Sequence, residues 1–147
     1  MFENTIEEIL KRDPITNKYF LGVFARNELP QNFSYPACFV LNTEDRTKSG
    51  EHWLAIHYNE NGYCNFFDSY GLPPAYYKLE TYLKKTSSRW TWNMKRVQGL
   101  SQYCGFYCVF YLLLKCRGRS DEFFEKFNSN LNQNDTFISN QIKNFKK

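Results

Sequence analysis

The fold follows from one stretch of sequence, Val97-Gln98-Gly99-Leu100-Ser101-Gln102-Tyr103-Cys104-Gly105, a polar loop that runs directly into the apolar residues 106–115. Apolar residues lie on nearly every side of this segment, which predicts a helix over residues 104–116 that is buried on most sides. Cys104 stands in its first turn, where unpaired backbone N–H groups and the helix dipole favour a thiolate over a thiol. Gly105 removes a side chain beside the sulfur. We therefore expect Cys104 to be a nucleophile.

Length and composition predict one domain over residues 1–147. Aromatic residues make up 19% of the chain, which argues against disorder. The net charge of +4 permits contact with nucleic acid or an acidic partner but requires neither. With two histidines and no C-x-x-C spacing, no metal site is expected.

Cysteine usage and the N-terminus predict an intracellular protein that is not secreted. The five cysteines lack the spacing of a disulfide framework, and residues 1–13 lack the apolar core of a signal peptide. The longest apolar run, residues 106–114, is shorter than the about 20 residues needed to span a bilayer, so no membrane association is expected.

Hydrophobic periodicity, caps and turn residues predict an α+β fold, with a small, mostly antiparallel sheet packed against the buried central helix. Thr5 and Glu8 form a capping-box pattern, Pro74 is a good first helical residue, and Ser120 is a candidate N-cap. The predicted helices cover residues 4–11, 74–85, 104–116, 120–127 and 136–147. The predicted strands cover residues 19–25, 37–41, 52–58, 63–68 and 90–97.

A cysteine nucleophile needs a base, and the chain offers only His52 and His57. Both precede Cys104, which excludes a papain-like order in which the cysteine comes first. Positions 52 and 57 differ by an odd number, so in a strand their side chains point to opposite faces. At most one of the two histidines therefore belongs to the site.

Hairpin geometry selects His52. If Gly62 takes the left-handed conformation in a three-residue loop, the paired residue numbers of the two strands sum to 122. His52 and Asp68 then share a face as diagonal neighbours, with Cβ atoms roughly 7–8 Å apart. A register shifted by one residue would separate them, so this prediction depends on the glycine.

These residues predict a catalytic set. Cys104 attacks a carbonyl, His52 takes and returns the proton, and Asp68 orients the imidazole. Gln98 and the backbone N–H of Cys104 stabilise the oxyanion, with Gln102 as the competing amide. The residues alone also allow purely structural roles. His52 would then be a hydrogen-bonded strand histidine, Asp68 a turn-forming residue and Gln98 a loop amide. Two further cysteines on the helix, Cys108 and Cys116, are interpreted as small core residues.

Several segments together resemble the adenovirus-type maturation proteases (adenain). The matching residues are Tyr19-Phe20-Leu21-Gly22, Ala37-Cys38, Asn42-Thr43, Arg46, Gly50, His52-Trp53-Leu54-Ala55, Phe67-Asp68-Ser69-Tyr70-Gly71, Val97-Gln98-Gly99 and Cys104-Gly105. The resemblance covers roughly residues 19–116, with Asp68 where adenain has glutamate. The related ubiquitin-like-protein (SUMO) proteases share the order of these residues, and the six-residue step from Gln98 to Cys104 matches their spacing.

The resemblance implies the fold of this clan and a cysteine endopeptidase that acts through His52, Asp68, Gln98 and Cys104. The short, Asn-, Lys- and Phe-rich chain is similar to proteases of virophages and Polinton-like elements, which implies capsid or core precursors as substrates. Cleavage after small residues such as glycine is implied by the family, and a site lined by Trp53 and Gly105 would fit it. The alternatives are a SUMO-type deconjugating protease and a non-catalytic module that binds DNA or capsid.

The same resemblance bears on cofactors and location. Adenain is activated by a disulfide-linked viral peptide and by DNA, but residues 76–103 contain no cysteine, so that covalent activation is not carried over. No cofactor is expected, and a DNA activator would depend on the mild positive charge and on Lys143, Lys146 and Lys147. We expect a monomer in the virion and the host cell interior.

Overall fold

The computed structural model describes residues 3–44 and 52–145. Its strands are β1 (Phe20–Ala25), β2 (Ala37–Asn42), β3 (Trp53–Tyr58), β4 (Tyr63–Phe67) and β5 (Arg89–Trp92). Its α-helices are α1 (Glu3–Arg12), α2 (Glu80–Thr86), α3 (Cys104–Lys115), α4 (Ser120–Glu125) and α5 (Leu131–Phe145). Short 3-10 turns cover Thr16–Lys18, Arg26–Glu28 and Pro74–Tyr77. None of the described helices is long and apolar enough to cross a bilayer.

The strands form one sheet in the order β1-β2-β3-β4-β5. The central pairs β2–β3 and β3–β4 are antiparallel, whereas the outer pairs β1–β2 and β4–β5 are parallel. The α+β class is confirmed, with a sheet that is mixed rather than mostly antiparallel. The outer pairs are parallel because their connections, residues 26–36 and 68–88, are long enough for the chain to cross back to the same end of the sheet.

Helices cover both faces of the sheet. Helix α3 packs against β3, and the core on this face also receives side chains from α1, α4 and α5. Helix α2 contributes to a second core on the opposite face. Alternate strand residues divide between the two cores, as the period of a strand requires: Cys38 and Val40 face α3, while Phe39 and Leu41 face α2.

Helix α3 lies at the centre of the fold, and its predicted burial is confirmed. Its buried residues are Cys104, Gly105, Tyr107, Cys108, Val109, Phe110, Tyr111, Leu112 and Leu113. Complete burial of a single large apolar side chain stabilises a fold by about 1.5–3 kcal/mol. Contacts on most sides of the helix therefore fix the position of its N-terminus, where Cys104 lies.

The hairpin between β3 and β4 has the predicted register. Tyr58 pairs with Cys64 and Ala55 with Phe67, so the paired numbers sum to 122. Gly62 has a positive φ of 78°, and a Cβ there would lie 2.6 Å from the ring of Tyr35. Both the conformation and the contact require glycine, which fixes the register on which the position of the site depends.

Two predicted elements are shorter or interrupted. The helix predicted over residues 74–85 is a 3-10 turn followed by α2, with Lys78 between them in the left-handed conformation (φ 59°). The strand predicted over residues 90–97 ends at Trp92. Met94 follows with a φ of 57° and is 69% exposed, so the apolar alternation predicted there does not continue.

The C-terminal helices also differ from the prediction. Helix α5 starts at Leu131 rather than at residue 136, because Asn128 and Asn130 form the turn that precedes it. Arg119 occupies the N-cap position of α4, where its side chain makes no capping hydrogen bond, so the predicted Ser120 cap is wrong. Arg46, Gly50, Lys146 and Lys147, which entered the sequence predictions, lie outside the described residues.

Gly71 closes the turn after β4, where its N–H donates to the carbonyl of Asp68 at 2.8 Å. Its φ is +74°, and a Cβ would lie 2.8 Å from the backbone of Lys95 and Arg96. We expect Gly71→Ala to lower the free energy of unfolding by about 2–3 kcal/mol, measured by urea denaturation.

Gly118 is the matched control, since its φ is +71° but no atom of the described residues lies within 4 Å of the place that a Cβ would take. Gly118→Ala should therefore cost only the conformational strain, about 1 kcal/mol. Equal losses in the two variants would show that the close approach of the two loops at Gly71 does not matter for stability.

Candidate active site

The ends of two neighbouring strands bring His52 and Asp68 together. His52 directly precedes β3 and Asp68 directly follows β4, so the antiparallel pairing places both at the same end of the hairpin. Their side chains meet with His52 Nε2 at 2.7 Å from Asp68 Oδ1. Asp68 is fully buried and His52 is 8% exposed. This contact orients the imidazole.

Asp68 is held by hydrogen bonds to both carboxylate oxygens. The N–H of Tyr70 donates to Oδ1 at 3.0 Å, while the N–H of Leu72 and the hydroxyl of Tyr77 donate to Oδ2 at 3.2 and 2.6 Å. With His52 as the fourth partner, the carboxylate has little freedom to turn. Tyr77 was not predicted from the sequence, because its reach to Asp68 depends on the irregular chain between β4 and α2.

Asn93 holds the backbone of Asp68. Its Oδ1 accepts the Asp68 N–H at 3.0 Å, and its Nδ2 donates to the Asp68 carbonyl at 2.7 Å. The amide side chain thus makes the two hydrogen bonds of a strand neighbour directly after β5 has ended. Sequence reasoning placed Asn93 inside a strand and missed this role. The signal in the sequence was a polar amide, Asn93, directly after the aromatic residues of β5.

A tyrosine covers the imidazole. The ring of Tyr70 stacks on His52 with centroids 4.7 Å apart and an interplanar angle of 17°. The guanidinium carbon of Arg96 lies 5.1 Å from the centroid of the Tyr70 ring. Tyr77 also lies nearly parallel to His52, with centroids 5.9 Å apart. These aromatic neighbours restrict the tilt of the imidazole and exclude water from it.

Cys104 and His52 shift each other's pKa. Burial lowers the pKa of His52, but the hydrogen bonds and charges of Asp68 and Cys104 outweigh this effect and raise it to about 9. Burial raises the pKa of the Cys104 thiol, but His52 and the backbone N–H groups of Trp53 and Gly105 bring it below its usual value. Both shifts favour the imidazolium–thiolate form of the pair over the neutral form. The Nε2 atom of His52 is bound to Asp68. The buried Nδ1 atom of His52 is therefore the nitrogen that is left to interact with the Cys104 sulfur.

The pKa directions predict how alkylation of Cys104 depends on pH. For a free thiol with a pKa of about 8.5, the fraction present as thiolate falls roughly 75-fold between pH 8 and pH 6. Because the pKa of Cys104 is lowered and His52 stays protonated below about 9, we expect its alkylation rate to fall clearly less over this range than that of a free thiol. Mass spectrometry of iodoacetamide-treated protein measures the rate peptide by peptide. The urea-unfolded chain is the control, and the same steep fall in the folded protein would contradict an activated thiol.

Gln98 lies in the loop before α3 and is fully buried. Its Oε1 accepts the Ser69 hydroxyl at 2.5 Å, and its Nε2 donates to the Ser101 carbonyl at 2.8 Å. Nε2 also donates to the hydroxyl of Ser101 at 3.4 Å. Gln102, the competing amide, is exposed. The oxyanion role of Gln98 stays a prediction.

Helix α5 supports the same loop. Asp135 accepts the N–H of Gly99 at 3.1 Å and the hydroxyl of Tyr107 at 2.6 Å. Asn134 Nδ2 donates to the carbonyl of Val97 at 3.0 Å. Sequence reasoning missed both side chains because it placed Asn134 in a loop and started the helix later. They connect the C-terminal helix to the segment that precedes Cys104.

The predicted substrate-binding residues lie beside the sulfur. Trp53 is 9% exposed, and its side chain belongs to the core on the α3 face, while its backbone N–H interacts with Cys104. Gly105 is buried and offers its N–H to the same sulfur. Their roles in substrate binding stay predictions. His57 lies on β3 between Cys38 and Asn65 and interacts with Cys116.

The arrangement is that of nucleophilic cysteine hydrolases: a helix-terminal thiol, an imidazole beside it and a carboxylate that orients the imidazole. The assignment of these roles to individual residues stays a prediction. Within residues 3–44 and 52–145, no group of three His, Cys, Asp or Glu side chains is placed to hold a metal ion.

In sequence, the chain is similar to adenovirus proteases. It is 33% identical over 119 residues to the protease of human adenovirus B serotype 3, covering 69% of this chain and 56% of that protein. It is 41% identical over 64 residues to the protease of human adenovirus E serotype 4, covering 41% of this chain and 31% of that protein. These matches confirm the predicted resemblance. The chain thus spans little more than half of the first relative and less than a third of the second.

The crystal structure of a protease of ASFV aligns with a TM-score of 0.48 and 21% identity, covering 79% of this chain and 58% of that one. No protein-family model matches the chain.

Proposed function

We propose that the protein is a cysteine endopeptidase that cleaves capsid or core precursor proteins during virion maturation. The contact between His52 and Asp68, combined with the mutual pKa shifts of His52 and Cys104, is the observation that carries this proposal. The similarity to adenovirus proteases supports the choice of peptide bonds in viral proteins as the substrate class. The narrower likeness to virophage and Polinton-like proteases stays a prediction.

The proposed reaction has two steps. The Cys104 thiolate attacks the scissile carbonyl, and the resulting oxyanion accepts hydrogen bonds from the backbone N–H of Cys104 and from Gln98 Nε2. His52 gives its Nδ1 proton to the leaving amine, which departs as the first product. His52 then takes a proton from water, whose oxygen attacks the thioester and releases the second product. Asp68 holds Nε2 throughout and keeps Nδ1 directed at the reacting atoms.

A preference for small residues at the cleavage site is part of the proposal. It comes from the resemblance to adenovirus-type proteases, and the burial of Cys104 beside the large Trp53 supports it, since a bulky side chain next to the scissile bond would have little room. The residue before the cut should therefore be glycine or a similarly small residue.

Substrate selection tests the proposal. Purified protein is incubated with a capsid precursor, a SUMO fusion and a ubiquitin fusion, with the Cys104→Ala variant in parallel, and new termini are mapped by mass spectrometry. We expect the wild type to produce new termini after small residues in the capsid precursor, and the Cys104→Ala variant to produce none. Cleavage restricted to a fusion protein would replace the proposal with a deconjugating protease, whose Gln-to-Cys spacing this chain shares.

A non-catalytic module that binds DNA or capsid is the remaining alternative. It is supported by the net charge of +4 and by the exposed Lys143 near the C-terminus. Adding double-stranded DNA to the cleavage assay at several salt concentrations tests whether DNA activates the enzyme, because contacts with phosphates weaken as salt rises. Binding of the capsid precursor without any cleavage would favour the module. For the proposed peptidase, a location in the virion and the host cell interior is part of the proposal.

A further inference from the structure

A pair of cysteines lies at the opposite end of α3 from Cys104. Cys116 directly follows the helix, and its sulfur lies 3.8 Å from the sulfur of Cys38 on β2. Cys38 is fully buried, whereas Cys116 is partly accessible to solvent. Cys108 is a fully buried core residue, as predicted, but this interpretation is incomplete for Cys116, which has specific polar neighbours.

Two buried polar side chains lie next to this pair. His57 is the cross-strand partner of Cys38, and Thr16 lies in the 3-10 turn after α1. In the part of the chain that the structure describes, His57 Nδ1 and Thr16 Oγ1 are buried without a hydrogen-bond partner of their own. Both interact with the Cys116 sulfur. Burying such groups is costly unless they are satisfied, and a negatively charged sulfur would satisfy both.

The two cysteines have opposite tendencies to ionise. The hydrogen bond from Cys38 lowers the pKa of Cys116 to about 5, with burial acting against it and His57 and Thr16 adding to it. The same contact and burial hold the pKa of Cys38 well above its usual value. These opposite directions favour a thiolate at Cys116 and a thiol at Cys38. This is the division between an attacking and a resolving cysteine in redox-active pairs.

An ion pair fixes the surroundings of Cys116. Arg117 binds the carboxylate of Asp13 through two nitrogens, at 2.5 and 3.0 Å. The same carboxylate accepts the backbone N–H of Thr16 at 2.9 Å. Asp13 therefore links the turn that carries Thr16 to the residue after Cys116. The surroundings of Cys116 are thus held in place by hydrogen bonds that do not involve either cysteine.

We propose that Cys38 and Cys116 form a peroxide-oxidisable dithiol, in which Cys116 reacts first and Cys38 resolves it to a disulfide. The Cys116 thiolate attacks one oxygen of hydrogen peroxide, the O–O bond breaks, and the leaving hydroxide takes a proton to become water. The Cys38 sulfur then attacks the Cys116 sulfenic acid, and the S–O bond breaks. Hydroxide leaves with the Cys38 proton as a second water, so two thiols and one peroxide give one disulfide and two waters.

The disulfide would connect the end of α3 to β2 across a long loop. Such a bond restricts the unfolded chain, so the oxidised protein should resist urea better than the reduced protein. Two equivalents of a small thiol, such as glutathione, would restore both cysteines by exchange. This chemistry is independent of the proposed proteolysis and requires no activity from Cys104.

Peptide mapping under non-reducing conditions tests the proposal. The wild type and a Cys104→Ala variant are exposed to one to five equivalents of hydrogen peroxide, alkylated and digested. We expect a linked peptide that joins Cys38 to Cys116 in both proteins, and a loss of two of the four thiols that remain in the Cys104→Ala variant. Dithiothreitol should restore them.

Single variants separate the two steps. Cys38→Ser should stop the reaction at a sulfenic acid on Cys116, which dimedone traps, whereas Cys116→Ser should leave Cys38 reduced. Cys64→Ser is the matched control, because Cys64 is equally buried and has no cysteine partner among the described residues, and it should leave the disulfide unaffected. The wild-type map decides the question even if a variant fails to fold. Oxidation that reaches Cys104 or Cys64 while Cys38 and Cys116 stay as thiols would overturn the proposal.

Discussion

We expect Cys104→Ala to abolish the proposed peptide-bond cleavage, with kcat/KM lower by at least about 10⁴-fold, while the protein stays folded. The expected loss is large because the thiolate supplies the new bond to the scissile carbonyl carbon, and neither His52 nor Gln98 can replace it. The fold should tolerate the change because alanine retains the Cβ inside the core and removes only one buried atom. Cleavage of the capsid precursor, followed by quantitative mass spectrometry, measures the effect.

Cys108→Ala is the matched control for this variant. Cys108 lies one helical turn further along α3 and is fully buried, so the substitution removes the same atom from the same helix. It should cost about 1 kcal/mol of stability and leave cleavage within a few-fold of wild type. If the two variants were equally active, the nucleophile would lie elsewhere in the chain.

His52→Gln is expected to lower kcat/KM by about 10³-fold and to make Cys104 behave as an ordinary thiol. Glutamine keeps polar atoms near Asp68 but cannot carry the proton that the leaving amine needs. Burial then acts on Cys104 without the opposing imidazolium, so its pKa rises. The alkylation rate of Cys104 should therefore fall steeply between pH 8 and pH 6, in contrast to the shallower fall that we expect in the wild type. Cleavage assays and peptide-resolved alkylation measure the two effects.

His57→Gln is the corresponding control. His57 is buried to nearly the same extent, at 9% exposure against 8%, but lies beside Cys116 instead of Cys104. It should retain cleavage and the shallower pH profile of Cys104 alkylation. Loss of cleavage in this variant with retention in His52→Gln would mean that the base lies at the other end of α3.

The central part of the site was predictable because it depends on local rules. Gly62 fixes the hairpin register, and the register places His52 beside Asp68. The apolar run after Cys104 predicts a buried helix and therefore a fixed position for the thiol. In both cases a short-range pattern, the parity of a strand or the period of a helix, determines which side chains meet.

Other parts depend on contacts between distant segments, which no local pattern encodes. Three side chains reach His52 or Asp68 from segments outside the α-helices and strands, namely Tyr70, Tyr77 and Asn93. The direction of the backbone in such segments depends on tertiary packing. The parallel outer strands depend on where long connections return, and the β5 strand ends where the Asn93 side chain takes over the hydrogen bonds of Asp68. The pairing of Cys38 with Cys116 likewise joins residues far apart in sequence.

Helix α3 also brings two cysteines next to histidines. Each end of α3 carries one, and each has its own histidine: His52 at the N-terminus and His57 beyond the C-terminus. The odd spacing of the two histidines directs them to different surroundings. Alkylation or oxidation experiments on this protein must therefore be resolved by residue, because the lowered pKa of Cys116 leads us to expect that it reacts as well.

Titration with a peptidyl chloromethyl ketone ending in glycine tests most directly whether Cys104 is the nucleophile. Residual cleavage of the capsid precursor is plotted against the fraction of each cysteine that carries the label, measured by peptide mapping. We expect cleavage to fall in proportion to the labelling of Cys104 and to reach zero at one equivalent on that residue. Full cleavage with Cys104 completely labelled, or inactivation that follows the labelling of Cys116, would contradict this assignment.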